Sequence, residues 1–172
     1  MAHLKLILED DYKEVFSLLA IHCSEADYKM AYLLNQYAGL RLRRKKVDLD
    51  FSENGLQVTF PIFEFENQPQ YTTYHLVANK CKSFPAHVNS SQGLFAEDNS
   101  ETLTTYLIKE YKNVDYFLKI YSDFESIPLR KLISNINEIK EVISAYSIEP
   151  EQIKLKNNLI VTIHPFFNYR HL

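Results

Sequence analysis

Apolar residues recur with period two along much of this chain and with a period near 3.6 in two stretches, so strands should outnumber helices. Residues 15–22 are the first strong strand. Val15, Leu19 and Ile21 fall on one face and Phe16, Leu18 and Ala20 on the other. Two apolar faces predict a central strand covered on both sides. Residues 4–8 read as a short edge strand before it. A helix follows over about 24–38, with Ser24 as N-cap and Asp27 adding negative charge to the first turn. Tyr28, Ala31, Leu34 and Ala38 form its stripe, widened by Met30, Leu33 and Tyr37. Gly39 is placed to close it in a left-handed cap. Asn35, on the same side as Tyr28, is expected to be half-buried and to need a hydrogen-bond partner.

Strand patterns resume at 40–46, where Leu40 and Leu42 alternate with Arg41 and Arg43, and at 48–51. Asn54-Gly55 is a hairpin signal. Leu56, Val58 and Phe60 then alternate with polar residues until Pro61, where Phe63 and Phe65 take over the apolar phase. A one-residue slip beside a proline predicts a bulge or an edge position. Residues 67–70 turn the chain into a Tyr- and Thr-rich strand at 71–78. Residues 79–100 lack periodicity and predict a flexible loop.

Residues 103–108 and 114–121 read as two strands joined by 109–113 in a β-hairpin; the alternative is one long helix from Ser100. The second clear helix spans about 126–146, capped by Ser126, with Pro128 in its first turn. Its stripe is Leu129, Leu132, Ile133, Ile136, Ile139, Ile143 and Tyr146. A last strand covers 154–163, and Phe166, Phe167 and Tyr169 predict that the tail at 164–172 docks. The element order is β-α-β-β-β-loop-β-β-α-β. Its hairpins favour a largely antiparallel or mixed sheet, so the fold class is α+β, in a single domain over 1–172.

Composition narrows the function classes. A net charge of −3 gives no global attraction for nucleic acid or an anionic membrane. No apolar run approaches the ~20 residues that cross a bilayer. Only 3 Gly leave little room for a glycine-built phosphate cradle. Cys23 and Cys81, without an export signal, fit free thiols in a reducing, cytoplasmic setting. The six His show no metal-ligand spacing and CxxC is absent, so neither a metal nor a cofactor is expected.

Three constellations carry candidate chemistry. Glu110 and Asp115 flank the 109–113 connection and form a possible carboxylate pair; their bland reading is local hydrogen bonding or pairing with Lys109, Lys112 or Lys119. His22-Cys23 precedes a helix start, where a thiolate gains from the dipole, and His75 is a candidate imidazole partner. Against catalysis, Cys is commonly just a small buried residue, and no cysteine-hydrolase signature surrounds it. Arg41, Arg43, Arg44, Lys45 and Lys46 are the one concentrated basic run. With Tyr71, Tyr74, Phe63 and Phe65 they form a candidate surface for single-stranded nucleic acid. Asp48 and Asp50 follow directly, and a solvated strand face explains the run more simply.

Ile108, Glu110, Val114, Asp115 and Tyr116 resemble the signature of the bacterial "IPExxxVDY" family, with Lys109 in place of the proline. Asp27-Tyr28 with Asn35, Asn79-Lys80, Leu155-Lys156 and Asn158-Leu159-Ile160 are similar to it as well. The resemblance covers nearly the whole chain and brings no activity and no catalytic residues; the lysine implies that a proline-fixed turn is not essential. The expectation is a small non-enzymatic domain that binds a protein partner or itself, with a homodimer as the economical way to cover an edge. Single-stranded nucleic-acid binding and a Cys23-dependent enzyme are the alternatives.

Overall fold

The computed structural model describes residues 16–53, 56–83, 103–122, 127–149 and 153. In chain order the elements are β1 (Phe16–His22), α1 (Asp27–Tyr37), β2 (Arg43–Arg44), β3 (Leu49–Glu53), β4 (Leu56–Phe60), β5 (Ile62–Asn67), β6 (Thr72–Ala78), β7 (Lys80–Ser83), β8 (Leu103–Tyr106), β9 (Tyr116–Ser122), α2 (Leu129–Asn137) and β10 (Ser144–Ile148). Short 3-10 turns occupy Gln68–Gln70 and Lys109–Tyr111. The fold is α+β. Its main sheet has six strands in the order β10-β1-β9-β6-β5-β2, antiparallel at every pairing, and β3–β4 and β7–β8 form separate two-stranded ladders. No helix among the described residues is long and apolar enough to cross a membrane.

The central strands are apolar on both faces because both faces are covered. On one side Leu19 and Ile21 of β1, Leu118 and Ile120 of β9 and Leu76 of β6 pack with Met30 and Leu34 of α1 and Leu132 and Ile136 of α2. On the other side Leu18, Ala20, Phe117 and Val77 meet Leu49, Val58 and Phe60 of β3–β4, together with Leu107, Ile108 and Val114. Each such large side chain contributes about 1.5–3 kcal/mol on burial. The slip at Pro61 is a change of sheet. β4 pairs with β3, and β5, beginning one residue beyond the proline, pairs with β2 and β6. Proline has no amide to donate, so a ladder can change partners there without stranding a donor.

Several expectations need correction. The N-cap of α1 is Ala26 rather than Ser24, and it makes no side-chain cap bond; Tyr28 and Tyr37 of the expected stripe point to solvent. Gly39 does take the left-handed conformation, at φ +71°. The second helix ends at Asn137, nine residues before the expected 146. Of the stripe expected beyond it, Ile139 enters the same core from a turn, but Ile143 is 77% exposed and Tyr146 lies in β10, while Val142, outside that stripe, is buried. Asn137 donates from Nδ2 to the Ala145 carbonyl (2.9 Å) and accepts from the Ala145 amide (2.7 Å), and the chain returns as β10 beside β1. α1 is left in the same way: Asn35 bonds both backbone groups of Leu42, at 3.0 and 2.7 Å. The hairpin expected between 103–108 and 114–121 is absent. β8 pairs with β7, and β9 lies between β1 and β6. The helix alternative for this region fails too, since Leu103–Tyr106 is a strand. The loop expected from Asn79 opens with β7, and residues 84–100 lie outside the described residues. So do the strands expected at 4–8 and 154–163, Ser126 and the tail at 164–172.

Candidate functional site

The stretch from Ile108 to Tyr116 is a joint between the small β7–β8 ladder and the main sheet, and its organiser is Asn79. That side chain is fully buried. Its Nδ2 donates to the carbonyls of Tyr111 (2.8 Å) and Val114 (3.1 Å), and its Oδ1 accepts from the Ile108 amide (2.8 Å). Its backbone amide donates to the Asp115 carbonyl, and its carbonyl accepts from the Leu107 amide. A buried polar side chain with every group satisfied fixes one geometry. Ile108 and Val114 then sink into the core beneath β1 and β9, and Tyr111 sets its ring edge-on to Phe117, 6.3 Å between centroids.

Asp115 works outward from this joint. Its Oδ2 accepts from the Cys23 amide at 3.0 Å, and its Oδ1 pairs with Lys80 Nζ at 2.7 Å. Neither partner is among the lysines expected from sequence. Tyr116 donates its hydroxyl to the Glu25 carbonyl, and burial pushes the phenol pKa up. Asp115 and Tyr116 thus hold the β1–α1 connection onto the joint. Glu110 lies exposed in the 3-10 turn, and the bonds of Asp115 go to Cys23 and Lys80 instead.

Cys23 is buried, and burial pushes its thiol pKa up; a backbone hydrogen bond at Glu25 pulls the other way, and the carboxylates of Glu25, Asp115 and Glu141 add to the rise. This is opposite to an activated thiol. His22 stacks on Tyr146, with ring centroids 5.7 Å apart. His75 is directed to the other face of the sheet, where its Nε2 lies 2.7 Å from Glu64 Oε2. The structure therefore does not bring Cys23, His22 and His75 together. Among the described residues no group of three His, Cys, Asp or Glu is arranged to hold a metal ion.

The basic run lies at the end of the main sheet. Arg43 and Arg44 form β2, paired to Glu64 and Phe63 of β5. Leu40 and Leu42 are buried and anchor the segment, which leaves Arg41, Arg43, Arg44 and Lys46 exposed. These four, with Lys45, Val47, Glu64, Phe65, Glu66 and Gln68, line an open groove of about 660 Å³. Two of the cations are engaged. Arg44 pairs with Asp48 and lies over the Phe63 ring at 5.9 Å, and Lys45 Nζ bonds Glu64 at 2.6 Å. Burial is the largest influence on Glu64 and acts upward. The hydrogen bonds and charges of Lys45 and His75 outweigh it and hold this carboxyl below its usual range. Of the aromatics expected beside the run, Phe63 and Tyr74 are buried, Phe65 is stacked on Tyr74 at 5.7 Å, and Tyr71 alone is exposed, in the turn before β6.

Sequence reasoning missed the clamps at Asn79 and Asn137 and the row Glu64, His75 and Lys119, which face each other across β5, β6 and β9. Lys119 is buried with Nζ 4.7 Å from the centre of the Phe16 ring. The available signal was parity: His75 and Lys119 share the apolar phase of Val77 and Phe117, and therefore had to be buried with partners. No protein-family model, no curated protein and no solved structure matches the chain.

Proposed function

We propose that this chain is a non-enzymatic protein-binding module whose ligand seats on the basic groove beside β2. The observation that carries the reading is the groove itself, with five cations within residues 41–46 at a sheet edge against the carboxylates of Glu64 and Glu66. The carboxylate Glu64 is already taken up by Lys45 and His75, so the groove keeps an excess of positive charge in a chain whose net charge is −3. Local charge of this kind steers an anionic partner without making the whole protein sticky. A Cys23-dependent enzyme has less support, since its thiol is buried with a raised pKa and the expected imidazole of His75 is bonded to Glu64.

Single-stranded nucleic acid is the second reading, and the same cations favour it. What weighs against it is the burial of Phe63 and Tyr74 and the mutual stacking of Phe65 and Tyr74, which leave few ring faces for bases. Affinity purification from the native cell, with the wild type and with Arg41→Ser/Arg43→Ser, tests the reading. The expected result is a protein retained by the wild type, lost with the variant, and unaffected by nuclease. Retention that nuclease abolishes overturns it. Light scattering at high micromolar concentration separates a partner from self-association, and a monomer removes the homodimer.

A further inference from the structure

We propose that the ligand of the groove is an extended, acidic protein segment that joins the six-stranded sheet as an added strand beside β2; this rests on the protein-binding reading above. Among the described residues β2 stands at the end of the strand order, with β5 on its inner side. Strand addition at such an edge draws affinity from main-chain hydrogen bonds and specificity from alternate side chains. Here the alternation is unusual. Arg41, Arg43 and Lys45 have one parity, and Arg44 and Lys46 the other. Lys45 reaches Glu64 while Arg44 lies over Phe63, neighbours on β5 that face opposite sides of the sheet. Cations therefore border both faces of the edge. An added strand sends successive side chains to those two faces in turn. A partner strand with acids on one face only would leave half of these cations unanswered, so the complementary ligand is acidic at consecutive positions. The backbone groups of Leu42 are already bonded to Asn35, so the edge offered to an added strand is 43–46, which at roughly 3.3 Å per residue matches a segment of about four residues.

Basic side chains on an edge strand also guard against unwanted pairing. The two roles are compatible. A second copy of β2 would set arginine against arginine, and like charges directly opposite are destabilising. The edge thus rejects its own copy and neutral strands, and it admits an acidic one. This makes the β2 partner a different protein.

The test is fluorescence anisotropy on the full chain with three labelled probes at roughly 50 and 200 mM salt. They are a short peptide of alternating Glu and Asp, the same peptide N-methylated at every second residue, and a single-stranded RNA of similar charge. The expected result is salt-sensitive binding of the first peptide, weakened about tenfold or more by N-methylation and by Arg41→Ser/Arg43→Ser. Lys46→Ser serves as the second variant if the double one fails to fold by circular dichroism. Equal binding of the methylated peptide overturns strand addition and leaves the protein-binding reading standing. RNA binding tighter than peptide binding overturns both. No peptide binding at about 1 mM shows that the cations are edge protection only.

Discussion

The joint at Ile108–Tyr116 and the edge at β2 are both built from polar residues, and they differ in where the polar groups find partners. At the joint Asn79, Asp115 and Tyr116 spend their bonds inside the chain, on Ile108, Tyr111, Val114, Cys23, Lys80 and Glu25. At the edge Arg44 and Lys45 are paired, while Arg41, Arg43 and Lys46 are exposed around a groove. The lesson is that a polar constellation points to a ligand when its charge is left over after the chain has satisfied itself. By that criterion Asp115 and Tyr116 serve the architecture, and the basic run is the stronger candidate site.

The hardest test of this contrast is Asn79→Ala. Truncation strands the Ile108 amide and the Tyr111 and Val114 carbonyls in the interior, and should cost about 3 kcal/mol or more. Urea denaturation measures it, and a loss under about 1 kcal/mol would remove Asn79 as the organiser. Asp115→Ala should cost about 1–2 kcal/mol, while Asp115→Asn keeps an acceptor for the Cys23 amide and loses less. If Asp115→Ala left stability intact and abolished a binding activity, the joint would belong with the edge.

His75 lies where the two regions meet, because its partner Glu64 also lines the groove. Burial, opposed by Glu64 and aided by the charges of Lys45 and Lys119, pulls its pKa below the ordinary 6.5. The folded protein therefore binds fewer protons at this site than the unfolded chain. The stability from neutral His75 is present above about pH 6.5 and declines as pH falls through the lower folded value. Each tenfold difference in proton affinity between the folded and unfolded chain is worth about 1.4 kcal/mol. Glu64, held below its ordinary 4.5, adds a second loss beneath that pH. Melting temperatures from about pH 8 to pH 5 should fall below about pH 6.5 in the wild type, and this fall should flatten in His75→Gln. An unchanged slope would detach His75 from the acid response. The smallest expected effect completes the comparison: Arg41→Ser/Arg43→Ser should change stability by no more than about 0.5 kcal/mol, as exposed charges do.

Legibility in the sequence follows periodicity. β1, α1, β5, β6 and β9 are readable because their apolar positions repeat cleanly, and the two apolar faces of β1 are indeed both covered. The length of α2 is overstated by its pattern because Ile139, Ile143 and Tyr146 keep helical spacing beyond its end at Asn137, and nothing in that pattern announces that Asn137 will close on Ala145. The pairing of β8 with β7 is illegible for a related reason. Neighbouring strands usually pair, and the turn that prevents it is held by Asn79, at least 29 residues away in the chain. The basic run is visible as a run. Its position on an edge requires the strand order, and the burial of its aromatic neighbours requires the second layer of core.

Among the described residues the main sheet is filled on both faces and its rim is not, and that has a consequence for how such a protein changes over time. Arg41, Arg43 and Lys46 belong to neither core, whereas Leu40 and Leu42, between and beside them, anchor the segment from within. Every second letter of this short segment can be rewritten without repacking anything. On the proposed reading partner choice and foldability would be separable traits: reversing the charge of Arg41, Arg43 and Lys46 would turn the rim toward a basic ligand, while Arg44 and Lys45 kept their pairs with Asp48 and Glu64.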